Sequence, residues 1–260
     1  MKLRSILFLC LSYAHLVAFA DNAPLPEPLG QLRETIDRKV AAYPAGGPVM
    51  IVAFGDSVTM GATVSGVLDP QHVYHNQLKQ MLEKKYPRGV FSLINSGIGG
   101  DTARKAITRV ARDVVTYKPH LTIVGFALND VSTDPSKLAD YKESLRQIVR
   151  TIREKTTSDI VLLTPNFMLA RDNSRVAPYQ RKLIPSMIKL QNEGHLARYA
   201  QAVRDVAVAE NVPVADVYAE WEKQSGLGLD TTDWLANGLN HPDAHGHEIV
   251  ATLIFNLIAR

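Results

Sequence analysis

Residues 50–62, "MIVAFGDSVTMGA", begin as an apolar run and change at Gly55-Asp56-Ser57 to small and polar residues. A buried strand that delivers a serine to its own end is a candidate source of a nucleophile. A serine hydroxyl attacks only when a base takes its proton, and the oxyanion that forms on the attacked carbonyl needs donors aimed at it. The chain carries candidates for each part. Ser57 at a strand-to-helix turn has its own N–H at a helix start, where developing negative charge is favoured. Gly100, in "NSGIGGDT", can bring a second N–H close to a substrate because no side chain obstructs it. Asn129, in "ALND", offers a side-chain amide. His241, in "NGLNHPDAHGHEIVATLIF", is a base, followed by Pro242, which fixes the local backbone. Together these parts could perform acyl transfer. The plainer alternative makes Ser57 a helix cap and the glycines and Asn129-Asp130 turn residues. The co-occurrence of all the blocks favours the chemistry, with Asp56 and Asp130 as structural hydrogen-bonding groups.

Such residues need a frame that gathers them. Short apolar runs at Val49–Phe54, Phe91–Ile94, Leu121–Phe126, Ile160–Leu163 and Val212–Val214 predict strands, and their lack of clean alternation is the pattern of strands buried on both faces. A helical pattern precedes them at 31–43, others fall between them at roughly 72–86, 103–116, 136–156 and 196–210, and a last one follows at 245–259. Alternation of this kind predicts an α/β fold with a parallel sheet and right-handed crossovers. Sites in such sheets form at the carboxyl ends of the strands, where Gly55-Asp56-Ser57, residues 95–102 and residues 127–130 follow the first three runs. The 164–195 segment is long for a connection and reads as a wall of the substrate cleft, carrying Phe167, Met168, Arg171, Tyr179 and Arg181. Residues 222–234 read as a surface loop.

The length of 260 residues suits one sizeable α/β domain. No cluster of Lys and Arg with interleaved aromatics is present, which argues against nucleic acid. The first twenty residues have a basic start (Lys2, Arg4), an apolar middle and Ala18-Phe19-Ala20, the pattern of a secretory signal cleaved after Ala20. The apolar run is short for a membrane span and is interrupted by Ser12 and His15, so no stable membrane insertion is expected after cleavage. Cys10 invites a lipoprotein reading, but Leu9 before it is larger than the small residue expected there. Cleavage would take Lys2 and Arg4 away, lowering the formal charge from +3 to +1, and would remove Cys10, the only cysteine. The mature chain would then have no disulfide and no thiol chemistry. The expected organisation is a signal peptide over 1–20, a proline-rich lead-in with a helix over 21–45, and the main domain over 46–260, located in the periplasm or outside the cell.

The four blocks, in this order, resemble those of the SGNH hydrolases, the GDSL-type esterases and lipases: "GDSVTMG", "NSGIGGDT", "ALND" and "NHPDAHGH". The resemblance covers most of 46–260. It implies a flavodoxin-like three-layer α/β/α sandwich with a five-stranded parallel sheet, Ser57 as nucleophile, Gly100 and Asn129 in the oxyanion hole, and His241 as base, with no cofactor. It implies a secreted serine esterase acting through an acyl-enzyme on a small-molecule or carbohydrate ester, removing short acyl groups such as acetyl. A lipase or thioesterase with longer acyl chains is the alternative within enzymes, and a catalytically silent carbohydrate-binding module on the same scaffold is the alternative outside them. Two positions depart from the pattern. Ala127 stands where the family has glycine two residues before the asparagine, and Gly238 stands where it has aspartate three residues before the histidine. Asn237, Asn240, Asp233 or a main-chain carbonyl is left to hold the imidazole. Without a carboxylate partner the base is expected to titrate near the ordinary histidine value of about 6.5. His241, His245 and His247 also invite a metal reading, but no Asp/Glu/His motif completes a zinc-hydrolase pattern, so no metal is expected and the latter two read as packing or capping the last helix.

Overall fold

A computed structural model of the chain describes residues 27–64 and 66–259. The expected signal peptide therefore lies outside the described residues. The chain opens with helix α1 (Gly30–Ala41) and then enters strand β1 (Val49–Gly55). The one-turn helix α2 (Ser57–Met60) follows directly, and α3 (Tyr74–Lys85) leads to β2 (Phe91–Gly97). Next come the short helices α4 (Ala103–Ala106) and α5 (Val110–Asp113), strand β3 (Leu121–Gly125), the long helix α6 (Pro135–Lys155) and β4 (Asp159–Leu163). Helices α7 (Ile184–Asn192) and α8 (His195–Glu210), strand β5 (Val214–Ala215), α9 (Val217–Gly226) and α10 (Ala244–Ile258) complete the fold.

The five strands form one parallel sheet in the order β2-β1-β3-β4-β5. Side chains alternate across a strand, so β1 serves both faces. Val49, Ile51 and Ala53 enter one core with Leu78 and Leu82 of α3 and Val250, Ile254 and Ile258 of α10. Val52 and Phe54 enter the other with Val110, with Leu145, Ile148 and Ile152 of α6, and with Val203 and Val206 of α8. This double burial explains the unalternated apolar runs. Each fully buried aliphatic side chain contributes about 1.5–3 kcal/mol by leaving water. The architecture is the expected three-layer α/β/α sandwich.

Local chemistry sets the element ends. In α6, Asp134 accepts from the Ser136 N–H at 2.9 Å and Pro135 occupies the first turn, where a missing N–H costs nothing. Its buried Tyr141, Leu145, Ile148, Val149 and Ile152 recur at helical spacing. Several expectations need correction. The pattern over 103–116 is not one helix: a 3-10 turn at Ile107–Arg109 interrupts it, and the break turns the Arg109 side chain inward. The last strand starts at Val214 and not Val212, because Pro213 has no N–H to give to the ladder. The 164–195 segment is not a loop wall: Phe167 and Met168 are core, a 3-10 stretch covers Pro178–Leu183, and α7 follows. Residues 222–234 are not a surface loop throughout. Helix α9 runs to Gly226, Thr231 and Thr232 are buried, and Trp234 packs edge-on against Trp221.

One close approach couples the sheet to the nucleophile. At Gly97, the end of β2, an added Cβ would lie 2.1 Å from the Met60 nitrogen and 2.6 Å from the Thr59 carbonyl carbon. Both are backbone atoms of the helix that begins with Ser57. Gly97→Ala is expected to cost about 1–3 kcal/mol in urea unfolding, as overpacking does, and to lower ester hydrolysis by displacing α2.

Candidate active site

Asp56, not Ser57, caps α2: its side chain accepts the Val58 N–H at 2.9 Å. The serine hydroxyl is thereby free for another partner, and Ser57 Oγ lies 3.0 Å from His241 Nε2. His241 Nδ1 lies 2.9 Å from the main-chain carbonyl of Thr63. A carbonyl only accepts, so Nδ1 carries the hydrogen and Nε2 presents its lone pair to the serine O–H. This is the tautomer a general base requires.

Of the four partners left open by the sequence, a main-chain carbonyl holds the ring. Thr63 belongs to a small hairpin in which the Thr63 N–H donates to Val67 O at 3.0 Å and the Asp69 N–H to Gly61 O at 2.8 Å. Nothing in the sequence marks Thr63, because a carbonyl has no residue signature. Asn237 acts one step back. Its Oδ1 accepts the N–H groups of Leu239, Asn240 and His241 at 2.9–3.0 Å, fixing the loop that carries the base. Asn166, which sequence reasoning did not single out, donates to Asn240 O at 3.0 Å from the other side. Asp233 is on the surface with Arg175, 2.7 Å away, and Asp243 caps α10 through the Gly246 N–H.

Gly100 and Asn129 stand on neighbouring loops that are tied together. Asn129 Nδ2 donates to Asp101 O at 3.0 Å, and Asp130 Oδ1 accepts the Ala103 N–H at 2.9 Å. An amide NH₂ has two hydrogens, so one remains for a ligand. Gly100 has φ +71°, a conformation that glycine adopts without strain. No acceptor among the described residues takes the backbone N–H of Ser57 or of Gly100. Ala127 has φ +150°, so alanine here holds a backbone that suits the family's glycine, at a strain cost of order 1–3 kcal/mol.

Beneath these loops lies Arg109. Its Nε donates to Asp101 Oδ2 at 2.7 Å, Nη1 to Ser96 O at 2.8 Å and to Asp113 Oδ2 at 3.0 Å, and Nη2 to Gly55 O at 2.8 Å. The guanidinium carbon is 4.3 Å from the Phe54 ring centroid. Sequence reasoning missed this residue, although an arginine inside an apolar helical pattern is a usable signal. Burial pushes the carboxyls of Asp56 and Asp130 up to about 7, with the Asp101 charge adding to each rise and hydrogen bonds from the Val58 and Ala103 N–H groups opposing it.

The remaining histidines have other surroundings. His247 is buried against Tyr74, whose N–H reaches its Nδ1 at 3.3 Å, and His245 lies edge-on to Trp234. Among the described residues no group of three His, Cys, Asp or Glu side chains is placed to hold a metal ion, and no helix is long and apolar enough to cross a membrane.

A serine and an oriented histidine at the carboxyl edge of a five-stranded parallel sheet define a serine ester hydrolase of the α/β/α sandwich class. The chain belongs to the GDSL-like Lipase/Acylhydrolase family, matched over residues 53–249. Similar solved structures include Axe2, an acetylxylan esterase from Geobacillus stearothermophilus, with 21% identity, TM-score 0.60 and coverage of 81% of this chain and 94% of that one. A two-domain esterase, CEX, active on acetylated mannans, has 22% identity, TM-score 0.64 and coverage of 89% and 53%. The lipase/acylhydrolase from Enterococcus faecalis has 27% identity, TM-score 0.58 and coverage of 80% and 93%. The chain is also 24% identical over 214 residues to the uncharacterized lipoprotein YqeF of Bacillus subtilis (strain 168), covering 77% of this chain and 85% of that protein.

Burial moves His241 below the ordinary histidine value of 6.5, and the bond to the Thr63 carbonyl opposes only part of that fall. This corrects the expectation of an unshifted base. A base must be neutral to act, and a lowered pKa keeps it neutral further into acid. The acid limb of kcat/KM for an aryl acetate is therefore expected at a pH below 6.5; a midpoint at or above that value in the pH–rate profile contradicts the geometry.

Proposed function

We propose that the protein is an extracytoplasmic esterase that removes acetyl or similarly short acyl groups from carbohydrate, with Ser57, Gly100, Asn129 and His241 as its catalytic residues. The observation that carries the mechanism is the 3.0 Å contact of Ser57 Oγ with His241 Nε2, on a ring whose Nδ1 is held by Thr63 O. Ser57 Oγ bonds to the ester carbonyl carbon while its proton passes to His241 Nε2. The carbonyl oxygen becomes an oxyanion that faces the Ser57 and Gly100 N–H groups and the spare Asn129 amide hydrogen. The C–O bond to the alcohol then breaks, and the alcohol leaves with the proton from His241. Water attacks the acyl-enzyme, giving its proton to His241, and the released Ser57 takes it back. In the Ser-His-Asp arrangement the carboxylate both fixes the tautomer and stabilises the imidazolium. The Thr63 carbonyl does the first and only weakly the second, so the enzyme works as a Ser57–His241 dyad.

The substrate class is supported by the fold shared with esterases that act on acetylated xylan and acetylated mannan. The location is supported by the basic and apolar first twenty residues and by the lipoprotein relative. On this reading residues 1–20 are removed, 21–45 form the lead-in, and 46–260 are the catalytic domain.

A fluorophosphonate is expected to label Ser57 in the wild type, and Ser57→Ala to remove both labelling and hydrolysis while the circular dichroism stays unchanged. A folded, active Ser57→Ala enzyme overturns the mechanism, and an unlabelled wild type returns the binding-module reading. Asn129→Ala should lower kcat by about 10²–10³-fold with a smaller effect on KM, because the bond strengthens in the transition state. A raised KM at constant kcat would make Asn129 a ground-state contact.

A further inference from the structure

An open cleft of about 480 Å³ adjoins the oxyanion loops. One wall is Thr102 and Arg104 at the start of α4, the other is Lys137 and Asp140 in the first turns of α6, and Asn129 and Asp130 lie between. Its size falls within the roughly 300–1,000 Å³ of small-ligand clefts. The two cations share one acid: Arg104 Nη1 and Lys137 Nζ each stand 4.0 Å from Asp140 Oδ2, too far for hydrogen bonds. Their donors are therefore unspent. Asp140 itself is half exposed, and neither cation is close enough to hydrogen-bond it, so its carboxylate oxygens are open to a ligand.

We infer that this cleft is the subsite for the sugar half of the ester, with Arg104 and Lys137 donating to ring and hydroxyl oxygens and Asp140 accepting from a hydroxyl. The inference rests on the carbohydrate-ester reading above and assigns one side of that substrate. An acyl chain gains nothing there, since the named walls are polar and charged, and an acetyl methyl is far smaller than the space. A polyhydroxylated ring carries both donors and acceptors, which matches a cleft whose walls offer unused donors in Arg104 and Lys137 and an unused acceptor in Asp140. Asn129 links the two functions, because the residue proposed to hold the oxyanion also lines the cleft.

The test compares wild type with an Arg104→Ala/Lys137→Ala double variant on two substrates, an O-acetylated xylo-oligosaccharide and 4-nitrophenyl acetate. Both side chains are well exposed, with Arg104 76% and Lys137 57% open to solvent, so the fold should tolerate the change. The ratio of kcat/KM for the oligosaccharide to that for the aryl ester is expected to fall about tenfold or more, tenfold being the size of one hydrogen bond to a charged group at the weak end of its range. Inhibition by the deacetylated oligosaccharide should weaken by a similar factor. An unchanged ratio with unchanged product inhibition overturns the subsite and leaves the esterase reading standing. A wild type that cleaves 4-nitrophenyl acetate but no acetylated oligosaccharide overturns the carbohydrate reading itself, and the subsite with it.

Discussion

The buried Arg109 guanidinium is the interaction on which the arrangement of the site depends. An arginine has five N–H donors in a rigid fork, and here they meet two strand-end carbonyls, Gly55 and Ser96, and two carboxylates, Asp101 and Asp113. Gly55 immediately precedes the nucleophile turn, and Asp101 immediately follows Gly100. One side chain therefore sets the spacing between the serine and the glycine loop. The charge is tolerable in the interior because Asp101 lies against it and the Phe54 ring covers one face. Removing one member of such a pair costs far more than the pair itself contributes, because the other charge is left buried. The Asp101 carbonyl also fixes the Asn129 amide, so the same anchor reaches the third strand.

That anchor bears on the charge around the reacting atoms. Asp56, Asp101 and Asp130 lie close enough to influence one another, with Arg109 as the cation among them. Three full negative charges beneath an oxyanion would oppose it. Burial instead pushes Asp56 and Asp130 up to about 7, which reduces the charge they carry at neutral pH. The same dryness lowers His241 and favours its neutral form. Desolvation thus acts in opposite directions on acids and base, and in both cases it disfavours the charged form. The carbonyl partner at Thr63 fits this setting, since it orients the ring without adding a further negative charge.

The parallel sheet and its helices on both faces were legible from the residues alone, as was the choice of Ser57, Gly100, Asn129 and His241 as candidates. Their signals are local: an apolar run of strand length, a helical period, and a polar residue directly after a strand. Parallel topology then brings strand ends to one edge, as it does for Gly55, Gly97 and Gly125, which pair across β1, β2 and β3. Other features depended on contacts between segments remote in sequence. The imidazole partner is a carbonyl 178 residues from His241, and every residue has a carbonyl, so composition carries no trace of it. Arg109 reaches Gly55 across 54 residues, and the same turn that aims it inward divides a helix that periodicity alone would continue. Phe167 and Met168 read as cleft-lining because a connection that long is often functional; only packing against Trp221 and its neighbours made them core. The types of group that could do chemistry were determined by the sequence, whereas the partner that orients the base and the charge that spaces the loops were decided by tertiary structure, because hydrogen-bond geometry and desolvation depend on which distant atoms are brought within a few ångströms.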